Sequence, residues 1–508
     1  MNCKIFSPWP LSSVVGSALH SCSVKATSPS RIVLSLALLT VLTGCAFAPE
    51  PTVDRSAPAQ WTQQPTDRTD RAGEPTPGAK LTVADLQTWW SRWNDAELNA
   101  LVDQALAQNL DLAQALGRLK QQRLLMGVAS AAYQPEVSGG IRTLQDVAAV
   151  DSYFHASIDV AWDLGLFGAR EASQRTAHAE LLNVQASVRA ASVALVADVV
   201  HRYLDIRMAQ YQYGLFAERV ALDERTVQLL KVRREQRLDT TEAVHQATLQ
   251  LSQSRAQFIA LKESQTRAAH ALAVLLGRSQ PDPKWLADGN VQRPSQHPAL
   301  DLQVLPADLL RTRPDIQTAE AAVERAAGAL GLSRSALYPR FALSGSLLFS
   351  YNLTQNRRTT ADHMPLVGPV IDIPLFDWGR RRSQADADEA ALDVAIMGYR
   401  QSVLEGIADV ETALAGLSAQ RKRLDLLQST QTLIAERDAV LARRQQLGLA
   451  SEFSRLSEQR AALQNRSEMA VAQGAQALAY VALYKALGGA PLPAELQAAE
   501  PPAEGRQP

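Results

Sequence analysis

Few residues in this chain could carry out covalent or metal chemistry. Its cysteines are Cys3, Cys22 and Cys45, so nothing beyond Cys45 can form a disulfide, bind zinc through a thiolate or act as a thiol nucleophile. The histidines His155, His178, His201, His245, His270, His297 and His363 are scattered without short-range ligand spacing, which suits surface or packing roles. The phosphate-cradling, nucleophile-elbow and zinc-protease motifs are all missing. The expectation is a protein that is not an enzyme and takes no cofactor or metal. A formal net charge of −1 gives no reason to expect a nucleic-acid partner.

Cys45 needs its own account. It closes Leu42-Thr43-Gly44-Cys45 after an apolar run from Ile32 to Leu42 that follows Arg31, the charged, apolar, small-residue order of an export signal. The segment resembles a bacterial lipoprotein signal with its lipobox. That resemblance implies removal of 1–44 and acylation of Cys45. With Ala46 rather than Asp next, it also implies sorting to the outer membrane of a Gram-negative bacterium. An ordinary cleaved signal with an incidental cysteine is the plainer alternative. Residues 45–80 are rich in Pro, Thr, Gln and Asp and read as an extended tether. No later stretch reaches the ~18–20 uninterrupted apolar residues of a membrane helix, so strands must make any further membrane contact.

The rest of the chain is one unit present twice, over 81–280 and 311–490, with a connector at 281–310 and a disordered tail at 491–508. A helical pattern from Leu81 breaks at Tyr133-Gln134-Pro135, because proline cannot continue a helix. Alternation of Val137, Gly139 and Ile141, then of Phe154, Ile158, Val160 and Trp162, predicts strands over 136–145 and 154–163. Long helices follow over 166–237 and 241–276, the first spanning roughly 100 Å at ~1.5 Å per residue. The second places Val244, Ala247, Leu251, Ser254, Phe258 and Leu261 in a coiled-coil seam.

About 210 residues later the pattern returns. Tyr338-Pro339 repeats the break, strands are expected over 340–350 and 366–376, and helices over 379–447 and 451–487. Ile396, Val403, Val410, Leu417 and Leu424 recur every seven residues, a coiled-coil period. The predicted class is mainly α with a membrane β portion.

Four strands can supply a bilayer wall, with Phe341, Leu343, Leu347 and Phe349 towards lipid and Ser344 and Ser346 towards water. They cannot close it alone, because two open edges in hydrocarbon would cost on the order of tens of kcal/mol. Two copies would make a barrel filled by its own side chains, and three would make twelve strands around a lumen. A homotrimer is therefore expected. Small soluble hairpins on a coiled-coil scaffold are the alternative.

Several runs together resemble the TolC-like outer membrane factors, in particular the lipoprotein branch serving efflux systems of the resistance-nodulation-division kind. They are Leu98-Asn99-Ala100-Leu101-Val102 leading to Asn109, Arg313-Pro314-Asp315-Ile316 with Ala319-Glu320, Tyr338-Pro339, and Ile373-Pro374-Leu375-Phe376-Asp377-Trp378-Gly379-Arg380. The resemblance implies a trimeric 12-stranded β-barrel joined to a periplasmic α-helical barrel with an equatorial belt. It also implies a periplasmic adaptor and an inner-membrane transporter as partners, and a passive exit duct for drugs or other toxic small molecules. A type I protein-secretion duct and a non-pore periplasmic scaffold are the competing functions.

By the same resemblance the adaptor-contacting helical tips fall on Arg444, Gly448, Leu449 and Ser451, and on Arg233, Arg237, Leu238 and Thr240. Arg237 departs from the family glycine, which predicts a differently built turn. As plain turns, the two tips would still use Thr240 and Ser451 as helix caps. Where relatives narrow the pore with acidic residues this chain has Ser454 and Ser457, leaving Glu452 and Glu458 as substitutes and Arg455 as a bridging cation. Solvated surface charge is the alternative. Trp162, Phe167, Phe376 and Trp378 stand where strands two and four end and suit either the membrane interface or packing.

Overall fold

The computed structural model describes residues 83–145, 151–288, 311–358 and 365–497. The signal segment, Cys45, the tether, most of the connector and the end of the tail lie outside the described residues.

The chain opens with α1 (Val83–Gln87) and a 3-10 turn (Trp89–Trp93), then α2 (Ala96–Gln108) and α3 (Leu110–Ala131). Contacts distant in the chain hold this start firmly. Trp89 is fully buried, stacks on Tyr484 at 4.8 Å and 15°, and donates from Nε1 to the Gly489 carbonyl at 3.0 Å. Asp95 caps α2 through the amides of Glu97 and Leu98 and accepts from the Tyr203 hydroxyl at 2.6 Å. Burial, and then that bond to Asp95, push the Tyr203 hydroxyl well above its usual pKa.

Strands β1 (Glu136–Gln145) and β2 (Ser152–Asp163) follow, then α4 (Ala169–Glu235), α5 (Thr241–Leu275) and a turn, α6 (Pro283–Leu286). The second unit has α7 (Pro314–Ser335), β3 (Arg340–Asn352), a two-residue β4 (Arg357–Arg358), β5 (Pro365–Asp372), α8 (Arg380–Gln446) and α9 (Glu452–Ala486). A last turn, α10 (Ala494–Gln497), buries Leu496 in the main core. Order therefore extends past 490, where the sequence led us to expect a disordered tail.

Corresponding helices have equal lengths: 22 residues in α3 and α7, 67 in α4 and α8, and 35 in α5 and α9. Each 67-residue helix starts from a left-handed glycine, Gly168 at φ 81° or Gly379 at φ 78°, which turns the chain out of the sheet. Val410 and Leu417 of the seven-residue repeat are fully buried, and Ile396 and Val403 pack against the same core. One 18-residue window of α4 has a mean hydropathy of 1.2 and could by composition cross a membrane, but half of it is buried against neighbouring helices. Val188, Val196, Val199 and Ile206 lie in the main core.

The sheet is antiparallel in the order β1, β2, β3, β5, with β4 pairing only the far end of β3. Among the described residues, β1 and β5 are its open edges. Ser138, Asp159 and Ser346 stand in one row, so their side chains share a face, and Ile141, Ala156 and Phe349 stand in a row of the opposite face. Asp159 accepts from Ser346 at 2.6 Å and Ser157 at 2.8 Å, which concentrates the polar groups on the first face. The strand expected over 366–376 stops at Asp372, because its partner β3 begins at Arg340, opposite Asp372. Pro374 then brings no amide for a further rung.

Candidate functional site: helical tips and an open sheet edge

The far end of the helices consists of two turns. In the second, Gly448 has φ 72°, its amide bonds to Gln445 O at 3.0 Å and the Leu449 amide bonds to Arg444 O at 2.7 Å. In the first, Arg237 has φ 61°, its amide bonds to Arg234 O at 2.9 Å and the Leu238 amide bonds to Arg233 O at 2.8 Å. Both are Schellman closures. The expectation of a differently built first turn is corrected: the backbone is the same, and Arg237 adopts the left-handed conformation that glycine takes in the repeat. Arg233 also pairs with Asp239, a position occupied in the second tip by Ala450.

Thr240 accepts from the Ala243 amide at 3.2 Å and Ser451 from the Ser454 amide at 3.1 Å, so both are N-caps. Leu238, Leu447 and Leu449 are exposed beside them. The result is a pair of rigid turns displaying leucine next to arginine, with Arg237 and Arg444 also exposed. Such a surface suits a protein partner better than a small molecule.

The residues just beyond the second tip do not form one cluster. Glu452 is partly exposed and pairs with Arg225 of α4 at 2.9 Å, tying the two hairpins together. Arg455 donates to Gln445 at 3.2 Å within its own hairpin. Ser457 is exposed. Glu458 is only 5% exposed and pairs with Arg437 of α8 at 3.0 Å. Of the two acids expected as substitutes at the gate, Glu458 thus has its charge compensated inside the hairpin.

Sequence reading missed two polar knots. Asp223, buried on α4, accepts from Ser254 at 2.6 Å and lies 3.6 Å from Arg460, joining three helices. A charged residue inside a coiled-coil stretch was the available signal. Arg313 is buried at the start of α7, donates to both carboxylate oxygens of Asp315 (3.0 and 2.7 Å) and to Asp409 (2.8 Å), and reaches the carbonyl of Ala486 (2.8 Å). It therefore fastens α7 to α8 and α9 midway along the molecule.

The aromatic rings are divided between packing and exposure. Trp162 donates to Tyr133 O at 3.1 Å and Phe167 stacks on Tyr338 at 5.1 Å and 19°, so both serve packing. Phe376 and Trp378 touch each other at 4.9 Å, and Trp378 is 90% exposed. Phe167 and Trp378 precede the two bend glycines in the same left-handed conformation, φ 57° and 58°. Among the described residues no group of acidic, histidine or cysteine side chains could hold a metal.

Comparison with known proteins agrees with this geometry. Nodulation protein T of Rhizobium leguminosarum bv. viciae is 28% identical over 349 residues, covering 67% of this chain and 71% of that protein. The toluene efflux pump outer membrane protein TtgF of Pseudomonas putida is 27% identical, covering 90% of this chain and 96% of that one. The solved outer-membrane channel OprN superposes with a TM-score of 0.74 at 25% identity, over 88% of this chain and 100% of its own. The model of the family described as outer membrane efflux protein matches residues 101–278 and 305–489, and the chain belongs to that family.

Proposed function

We infer that this protein is the outer-membrane channel component of a tripartite efflux system, a passive duct through which a transporter elsewhere expels its cargo. The observation that carries this reading is a four-stranded sheet with two open edges, one apolar and one polar face, set on helices of 67 residues. Unpaired edges in lipid would cost several kcal/mol per group, so further copies must cover them. Three copies close twelve strands around a water-filled bore, whereas two would fill it with side chains. The helices then continue the wall into the periplasm.

Within that reading the tips at Arg233, Arg237, Leu238 and Thr240, and at Arg444, Gly448, Leu449 and Ser451, receive a periplasmic adaptor. The inner-membrane partner is a transporter of the resistance-nodulation-division kind. Cys45 carries acyl chains that add to the barrel's hold on the outer-membrane lipid. Glu452 and Arg225, which link the two hairpins near the tip, are the pair whose opening would widen the periplasmic end, with Ser454, Arg455 and Ser457 beside them. Cargo is small and toxic, in keeping with relatives described as toluene and antibiotic efflux components.

Deleting the gene tests the cargo class. Cells should become sensitive to toxic small molecules. Loss of a single exported protein, with no change in sensitivity, would favour the secretion duct instead.

A further inference from the structure

Where the sheet meets the helices, the chain turns several corners close together. Asp163 to Gly168 leads β2 into α4, Tyr338-Pro339 leads α7 into β3, and Ile373 to Trp378 leads β5 into α8. Pro339 and Pro374 bring no amides and Gly165 is left-handed at φ 58°, so these corners cannot close on one another by backbone pairing. They leave a cavity of about 410 Å³, a size that suits a small molecule.

The walls combine rings with charges. Tyr133 is fixed in place: Trp162 donates to its carbonyl at 3.1 Å, and a Cβ at Gly165 would lie 2.6 Å from its Cδ1, so the ring rests directly on the Gly165 backbone. Tyr338 is held by its stack on Phe167. The charges come from Asp163, Arg340, Asp372 and Arg381. In the sheet Arg340 stands opposite Asp372, and Ala342 opposite Asp163. These side chains therefore lie on the face that carries Asp159 and Ser346, the polar face that the duct reading turns towards the bore.

All but one of these charges are matched. Asp163 accepts from the Gly165 amide at 2.9 Å and from Arg340 Nε at 2.8 Å. Arg381 lies 3.7 Å from Asp377. Asp372 is exposed, and among the described residues no cation pairs with it, because the guanidinium opposite is turned to Asp163. The cavity thus holds one carboxylate in excess beside fixed aromatic rings.

That combination selects an organic ammonium ion, which gains from the carboxylate and from the ring faces together. An anion would be repelled by Asp372, and a neutral molecule would gain nothing from it. A metal ion finds too few ligands, since among the described residues no group of acidic, histidine or cysteine side chains could hold one. We propose that this junction is a resting site for organic ammonium compounds, with Asp372 as counter-ion and Tyr133 as an aromatic wall. The inference rests on the duct reading and deepens it, since cargo passing through the sheet would meet a site that favours amines over anions.

Calorimetric titration of the purified full-length oligomer with benzyltrimethylammonium tests this, with benzyl alcohol and benzenesulfonate as neutral and anionic controls. The parent should bind the ammonium ion and not the sulfonate. Asp372→Asn should weaken ammonium binding by at least about threefold, as for loss of a partly exposed ion pair, and leave any binding of the alcohol unchanged. Ala336→Phe, which sets a ring into the cavity from the exposed end of α7, should weaken it as well. No binding to the parent, or the same affinity in parent and both variants, would overturn the site. If that preparation conducts ions in lipid bilayers, the duct reading still stands. Binding that depends on Asp372 in an oligomer that inserts and never conducts would contradict the duct and not the site.

Discussion

Arg237 and Gly448 hold equivalent positions at the two helical tips and share a left-handed backbone, φ 61° and 72°. The same pair of amide bonds closes each turn. The fold thus requires the conformation whatever residue occupies it, and an arginine meets that requirement against its steric preference. A left-handed residue with a Cβ costs roughly 1–2 kcal/mol, and the adjoining Arg233 to Asp239 pair helps to hold the turn in place.

Replacing Arg237 by glycine should therefore stabilise the first tip. Strain relief exceeds the extra entropy that glycine loses on folding, roughly 0.5–1 kcal/mol, and leaves a net gain of about 0.5–1 kcal/mol. Hydrogen exchange at the Leu238 amide, which bonds to Arg233 O, should slow by a factor of about two to five. Unchanged or faster exchange would mean the turn is not strained.

The knot around Arg313 makes a second prediction. Arg313→Ala strands the carbonyl of Ala486 and takes the buried partner from two half-exposed carboxylates, at about 2–3 kcal/mol by the worth of charged hydrogen bonds. Burial by itself would raise the Asp315 pKa, but the hydrogen bonds and charge of Arg313 outweigh it and hold that carboxyl below its usual range. A depressed pKa contributes stability above the unfolded value near ~3.9 and loses it as pH falls through the folded value. In denaturant melts, Asp315→Asn should be less stable than the parent at neutral pH and should lose less on acidification below about pH 4. Parallel acid limbs would remove Asp315 from the knot.

Much of this was legible in the sequence, and the reason is locality. The proline break at Tyr338-Pro339, the glycines that start α4 and α8, and the seven-residue spacing through Val410 and Leu417 each act over a few residues. Alternation along Phe341 to Phe349 sorted apolar from polar faces for the same reason. What stayed hidden depends on partners distant in the chain. Glu458 looks like a surface acid until Arg437 folds over it. Trp89 shows its purpose only when Tyr484 and Gly489 arrive from about 400 positions away. The end of β5 is set by where β3 begins, which no pattern within β5 records.

At the tips, Leu238→Glu with Leu449→Glu should abolish export and leave the oligomer intact. Both leucines are solvent-exposed and contribute nothing to the hairpin core. Drug-accumulation assays and native gels on the same cells check the two halves. Wild-type export would mean that no partner docks on these leucines.

Cys45→Ala should lose incorporation of labelled palmitate while the protein still reaches its oligomeric state, because in the proposed duct the sheet supplies membrane contact of its own. Labelling that persists would remove Cys45 as the modified residue.

The predictions on export and membrane contact rest on the proposal of a wall that one chain begins and others complete around water. Single-channel recording with the purified protein in planar lipid bilayers tests that most directly. Discrete, long-lived conductance steps from an oligomeric fraction are the expected result. A properly folded oligomer that inserts and never conducts, even with the Arg225 to Glu452 contact broken by Glu452→Ala, would contradict it.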